Sequence, residues 1–92
     1  MIEQFEASNS LEGKRAWIIA TVVCHEETSA ERRVIGVIHR YLHLVRSFHH
    51  QLLDEKHCIN IAVAAASATE LRPLMEELRR IRGVERVMLL PV

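Results

Sequence analysis

Along the first 14 residues the hydrophobic positions follow no period, and Glu, Asn, Ser and Gly dominate from Glu6 to Gly13. Residues 1–14 are therefore expected to form a flexible N-terminal tail, followed by a single domain over residues 15–92. From Arg15 to Cys24 the chain is apolar and rich in β-branched side chains, the pattern of a buried central strand. His25-Glu26-Glu27 interrupts it. Thr28 and Glu31 stand at capping-box spacing, and Val34, Val37/Ile38 and Tyr41/Leu42 follow at helical intervals. Gly36 costs that helix roughly 1 kcal/mol relative to Ala, which predicts a close packing contact at its turn.

Leu44 to Leu53 reads as a strand, and Asp54-Glu55-Lys56 as a polar turn. His57 to Ala64 then alternates with period two, with Ile59, Ile61 and Val63 on one face and Cys58, Asn60 and Ala62 on the other. The two runs predict a hairpin. A second helix starts at Ser67 or Thr69, with Pro73 near its first turn and an apolar stripe of Leu71, Leu74/Met75, Leu78 and Ile81. Arg79, Arg80 and Arg82 complement its C-terminal dipole, and Gly83 is the expected residue just past its end. Val84 to Leu90 forms the last strand.

The order βαββαβ, with short right-handed connections, predicts an α+β fold of ferredoxin-like or ACT-like type: a four-stranded antiparallel sheet with two helices on one face. The other face, expected to carry Phe48, Leu52, Ala62 and Ala64, has no helix to cover it, so a homo-oligomer, dimer or tetramer, is expected.

Composition narrows the function. Twelve Lys+Arg balance twelve Asp+Glu over 92 residues, which leaves no cationic excess for direct nucleic-acid binding or a polybasic membrane anchor. No apolar run reaches the ~18 residues a membrane span needs, and the acidic N-terminus does not read as a signal peptide, so a cytoplasmic protein is expected. Three glycines supply no phosphate-cradling loop, and no strand-to-helix elbow offers an oxyanion site beside a Cys/His pair, so the sequence does not read as an enzyme. The distinctive feature is six histidines, all between residues 25 and 57, with two cysteines, Cys24 and Cys58.

A turn centred on Glu55 sets residue 52 opposite 58 and residue 50 opposite 60, so His50 and Cys58 emerge as diagonal neighbours on one face, expected to be the uncovered one. An imidazole and a thiolate on rigid strands suit a borderline transition metal. His39, on a helix packed against the other face, would join them only from a second copy. His39 and His43 are four apart, a chelating interval on a helix. His25 with Glu26 is a further candidate pair. His49 and His57 alternate away from the His50/Cys58 face, and Cys24 reads as a core or strand-end residue.

These residues carry a resemblance. Val23 to Pro91 resembles the C-terminal metal-sensing domain of the nickel-responsive ribbon–helix–helix regulators: a His-Glu pair after a strand (His25-Glu26), a His-rich helix end (His39-Arg40-Tyr41-Leu42-His43), then a strand His (His50), with Cys58 six residues after the family's second strand His. The resemblance implies a nickel site made by His50 and Cys58 of one chain and His39 of its partner, with His25, Glu26 and His43 as secondary positions. Three departures stand out. Leu52 occupies the second His of the family's His-x-His, Val23 occupies a tyrosine position, and the 14 residues before the domain are too few for the family's DNA-binding half. The resemblance implies Ni(II) as the cofactor, with Cu(II) or Zn(II) able to take the same trio. The expected partners are further copies of the chain, a full-length DNA-binding relative or another regulatory protein. The alternative is an ACT-like module for small-ligand binding or oligomerisation without metal. The absence of Gly in Cys24-His25-Glu26-Glu27-Thr28 counts against its ligand-binding form.

Overall fold

The computed structural model describes residues 15–24 and 29–92. The expected tail, and His25, Glu26 and Thr28, lie outside the described residues. The elements run β1 (Arg15–Cys24), α1 (Ala30–Arg40), β2 (Val45–Leu52), β3 (His57–Ala66), α2 (Ala68–Arg79) and β4 (Val84–Pro91). They form one antiparallel sheet of order β2-β3-β1-β4, the βαββαβ architecture of ferredoxin-like and ACT-like folds.

The β2–β3 register is the expected one, with His50 opposite Asn60 and Leu52 opposite Cys58. The assignment of faces is reversed. Cys58, Asn60, Ala62, Ala64 and Ala66 are all buried beneath the helices. A helix can close on a sheet only where the strand beneath it is thin, and these small side chains leave room for Val34, Val37, Ile38, Leu71, Leu74 and Leu78 to complete the core. Phe48, expected on the open face, packs against that core, whereas Leu52 is 64% exposed at the strand end. The open face instead carries Ile59, Ile61 and Val63 of β3, flanked across the register by Ile18 and Val22 of β1 and by Met88 of β4.

Ser67 caps α2 with a reciprocal capping box: its hydroxyl accepts from Glu70 N–H, and the Glu70 carboxylate accepts from Ser67 N–H. Pro73 lies within the helix, five residues after Ala68. The helix ends at Arg79, so Gly83 is not its terminator but belongs to the turn into β4, where it adopts φ 100°. The two helices are tied at their C-terminal halves, where Glu77 accepts hydrogen bonds from Arg40 and from the Tyr41 hydroxyl. Those donors, Tyr41 first, hold the Glu77 carboxyl below its ordinary range. Gly36 meets nothing: a Cβ there would have no atom of the described chain within 4 Å, so the packing contact expected at that turn is not made within the described chain.

Two outcomes follow from this packing. Ala62→Leu forces bulk between sheet and helices and should cost about 1–3 kcal/mol in urea unfolding; a neutral result would put that side chain on the open face. Glu77→Gln should lower the melting temperature at pH 7. A carboxyl with a depressed folded pKa contributes its stability above the unfolded value and loses it on protonation. The deficit of the variant should therefore shrink as the pH falls below 4.5, the group's ordinary value.

Candidate metal centre

Three chemically capable side chains converge on the helix-covered side of the sheet, at the β2–β3 end of the hairpin. They are Glu31 from the first turn of α1, His50 of β2 and Cys58 of β3, and their ligand atoms all lie within 4.8 Å of one another. Cys58 Sγ donates to Glu31 Oε2 at 3.2 Å, and the same oxygen lies 3.0 Å from His50 Nε2. The cluster is closed at the sulfur, 1% exposed, and open at the imidazole and carboxylate, each with more than a third of its side chain exposed. Burial, reinforced by the hydrogen bond to Glu31 and its negative charge, pushes the Cys58 thiol up to about 12.

On its other edge the His50 ring is held by Asn60, whose Oδ1 stands 2.9 Å from Nδ1. The contact fixes the ring's orientation, and Nε2 is the nitrogen turned to Glu31. Asn60 is itself 1% exposed and its Nδ2 has no hydrogen-bond partner, so its amide is committed to the ring at the expense of one donor. An imidazole nitrogen, a carboxylate oxygen and a sulfur thus point at one another. Together they offer one cation a nitrogen, an oxygen and a sulfur donor. A donor set of sulfur, nitrogen and oxygen fits a borderline divalent transition metal.

His50 and Cys58 meet on one face as the sequence predicts, but the face is the helix-covered one. His39 is exposed on α1, eight residues beyond Glu31, or roughly 12 Å along the axis at the helical rise. It does not reach His50 and Cys58 within its own chain. His43 is not on the helix, which ends at Arg40; it lies in the following turn and stacks on Tyr41 with ring centroids 6.1 Å apart. His39 and His43 therefore do not form the helical i,i+4 pair. Leu52, opposite Cys58, offers hydrocarbon where a donor would serve. Glu31 is the residue that pattern reading missed. Its spacing from Thr28 assigns it to a helix cap, yet α1 is capped at Ser29 without a side-chain hydrogen bond, and the Glu31 carboxylate turns to the sheet. The available signal was the stripe Glu31, Ile35 and His39 at i, i+4 and i+8, which places a carboxylate and an imidazole along one side of the helix.

Comparison with known proteins identifies relatives of the chain. The family profile of the NikR C-terminal nickel-binding domain matches residues 18–92. A candidate nickel-responsive regulator of Methanothermobacter thermautotrophicus is 30% identical over 88 residues, covering 96% of this chain and 63% of the relative. One from Methanococcus maripaludis is 31% identical over 81 residues, covering 88% of this chain and 57% of the relative. The chain thus spans about three fifths of the length of the curated relatives it matches. Among solved structures, an uncharacterised Thermotoga maritima protein superposes with TM-score 0.76 at 25% identity, covering 86% of this chain and 98% of that one. The ACT domain of a Chlorobium tepidum GTP pyrophosphokinase superposes with TM-score 0.68 at 22% identity over 84% of this chain and 99% of that one, which supports the fold alone.

The Cys58 thiol is buried and pushed up to about 12, far above pH 8, so little of it is in the reactive thiolate form there. Iodoacetamide added to the native, metal-free protein at that pH should therefore spare Cys58 and modify it only after unfolding, as peptide mass mapping would show. Rapid native labelling of Cys58 would contradict the buried, Glu31-bonded thiol.

Proposed function

The chain belongs to the family of NikR C-terminal nickel-binding domains, and on that premise we propose that it senses nickel by sharing one metal site between two copies of itself. Cys58, His50 and Glu31 of one chain supply three donors, and His39 of the second copy supplies another. The observation that carries this reading is the convergence of Glu31, His50 and Cys58, with His39 displaced along the same helix. Two α1 helices packed antiparallel about a twofold axis near Ile35, midway between residues 31 and 39, would set His39 of each beside Glu31 of the other. Ile35, half-buried on an otherwise polar stripe, suits the centre of such a contact.

Each residue has a distinct task. Cys58 must give up its proton to bind a cation, and Glu31, already accepting that proton's hydrogen bond, is the base beside it. Asn60 fixes the His50 ring so that Nε2 points inward. The bound ion supplies the positive charge that the three facing donors otherwise lack. With a carboxylate in the donor set and hydrocarbon at Leu52, the site is harder than one built from sulfur and nitrogen alone, and Zn(II) and Cu(II) compete for it. The apolar open face around Ile61 offers a second self-complementary contact. Two such contacts per chain lead from a dimer to a tetramer. Coupling ion binding to the pairing of chains is how the domain would report nickel to an attached or associated regulator of transcription.

Subunit mixing tests the shared site. On a Cys24→Ser background, which leaves Cys58 as the one thiolate donor, His39→Ala and Cys58→Ser chains should each lose nickel binding in equilibrium dialysis. An exchanged equimolar mixture should regain about a quarter of the wild-type capacity, because each mixed dimer rebuilds one of its two sites. No recovery after proven exchange would rule out a site built from two chains.

A further inference from the structure

On the opposite side of the sheet from Cys58, at the rim of the open face, a second set of donors converges. Cys24 ends β1, His57 begins β3 directly opposite it, and Glu85 lies in β4 where the β1–β4 register shifts. The turn at Gly83 closes this corner, its carbonyl accepting the Cys24 N–H at 2.8 Å. Sγ of Cys24, the His57 ring nitrogen and a Glu85 oxygen lie within 4.8 Å of one another. His57 Nε2 is 3.0 Å from Glu85 Oε1, while Nδ1 faces Asp54 Oδ1 at 3.1 Å. Asp54 is held in turn by the backbone N–H groups of Lys56 and His57, both at 2.8 Å.

We propose that Cys24, His57 and Glu85 form a second metal site, suited to zinc(II) or another borderline divalent ion, with Asp54 positioning the His57 ring. The proposal rests on these residues alone and not on the nickel reading of the other face. One sulfur, one nitrogen and one oxygen are all accepted zinc donors, and three protein ligands leave a fourth position for water or an incoming group. A thiolate and a carboxylate together neutralise a divalent charge. The hydrogen bond from the far ring nitrogen to a carboxylate is the support that metal-bound histidines regularly have. Donors about a zinc ion at 2.0–2.3 Å stand about 3.5 Å apart, so closing the triad needs side-chain rotation of about an ångström and no movement of the strands.

The chain's two cysteines make the test selective. In the full chain carrying Cys58→Ser, any thiolate-to-cobalt charge-transfer absorption must come from Cys24. This protein should bind one cobalt(II) per chain with that absorption, and zinc(II) should abolish it by displacement. On the same background, His57→Gln should remove the absorption, and Glu85→Gln and Asp54→Asn should each weaken cobalt binding at least ~10-fold. Residues 54 and 85 are exposed, so these two variants keep the fold, and an unchanged circular dichroism spectrum verifies it. No cobalt–thiolate absorption from the Cys58→Ser protein, repeated with Cys58→Ala, would overturn the proposal, as would full-strength binding by the His57 and Glu85 variants. The reciprocal Cys24→Ser chain separates the two sites. Absorption there reports Cys58 alone, and its loss would count against the nickel reading while leaving this one standing.

Discussion

The helices can settle on the sheet because β3 presents them only small or compact side chains. Cys58, Asn60, Ala62, Ala64 and Ala66 form a shallow floor, and the larger Ile59, Ile61 and Val63 are turned to the other side. This alternation is fixed by the two-residue period of a strand, so a register slip of one residue would invert it wholesale. The cluster around Cys58 depends on that floor. It brings the first turn of α1 within reach of Cys58 and aims Asn60 at the ring of His50.

Much of this was legible in the chain. The periods of residues 15–24, 57–64 and 71–81 give the element order, and the polar turn at residues 54–56 gives the hairpin register that pairs position 50 with 60 and 52 with 58. The face was not legible, because alternation says that Ile59 and Cys58 point apart and not which of them lies under a helix. Treating the bulky residues as the inward ones misplaces the site, since close packing of a helix on a strand rewards small side chains there. Glu31 was obscured for a different reason: the same spacing from Thr28 serves a helix cap and, as it turns out, a tertiary contact 27 residues away. Cys24, His57 and Glu85 are far apart in sequence, and only the registers of β1 with both of its neighbours, including the shift at Val22/Val23, bring them to one corner.

The two clusters share a plan. In each, a side-chain oxygen anchors the Nδ1 edge of a histidine, Asn60 for His50 and Asp54 for His57, and the Nε2 edge is turned to a carboxylate beside a cysteine. They differ in surroundings. The thiol of Cys58 lies in the core and is pushed up to about 12, whereas the imidazolium of His57 is favoured by its hydrogen bond to Asp54 and then by the charges of Asp54 and Glu85. An ion at the core position would have to displace a tightly held proton, and one at the rim position would have to compete with water.

His57 and Cys58 are consecutive residues whose side chains leave β3 on opposite faces. A single peptide plane joins them, so the strand backbone that directs one side chain to its face directs the other to the opposite face. If both faces hold ions, thermodynamic linkage requires any effect of one ion on the affinity for the other to be equal in both directions.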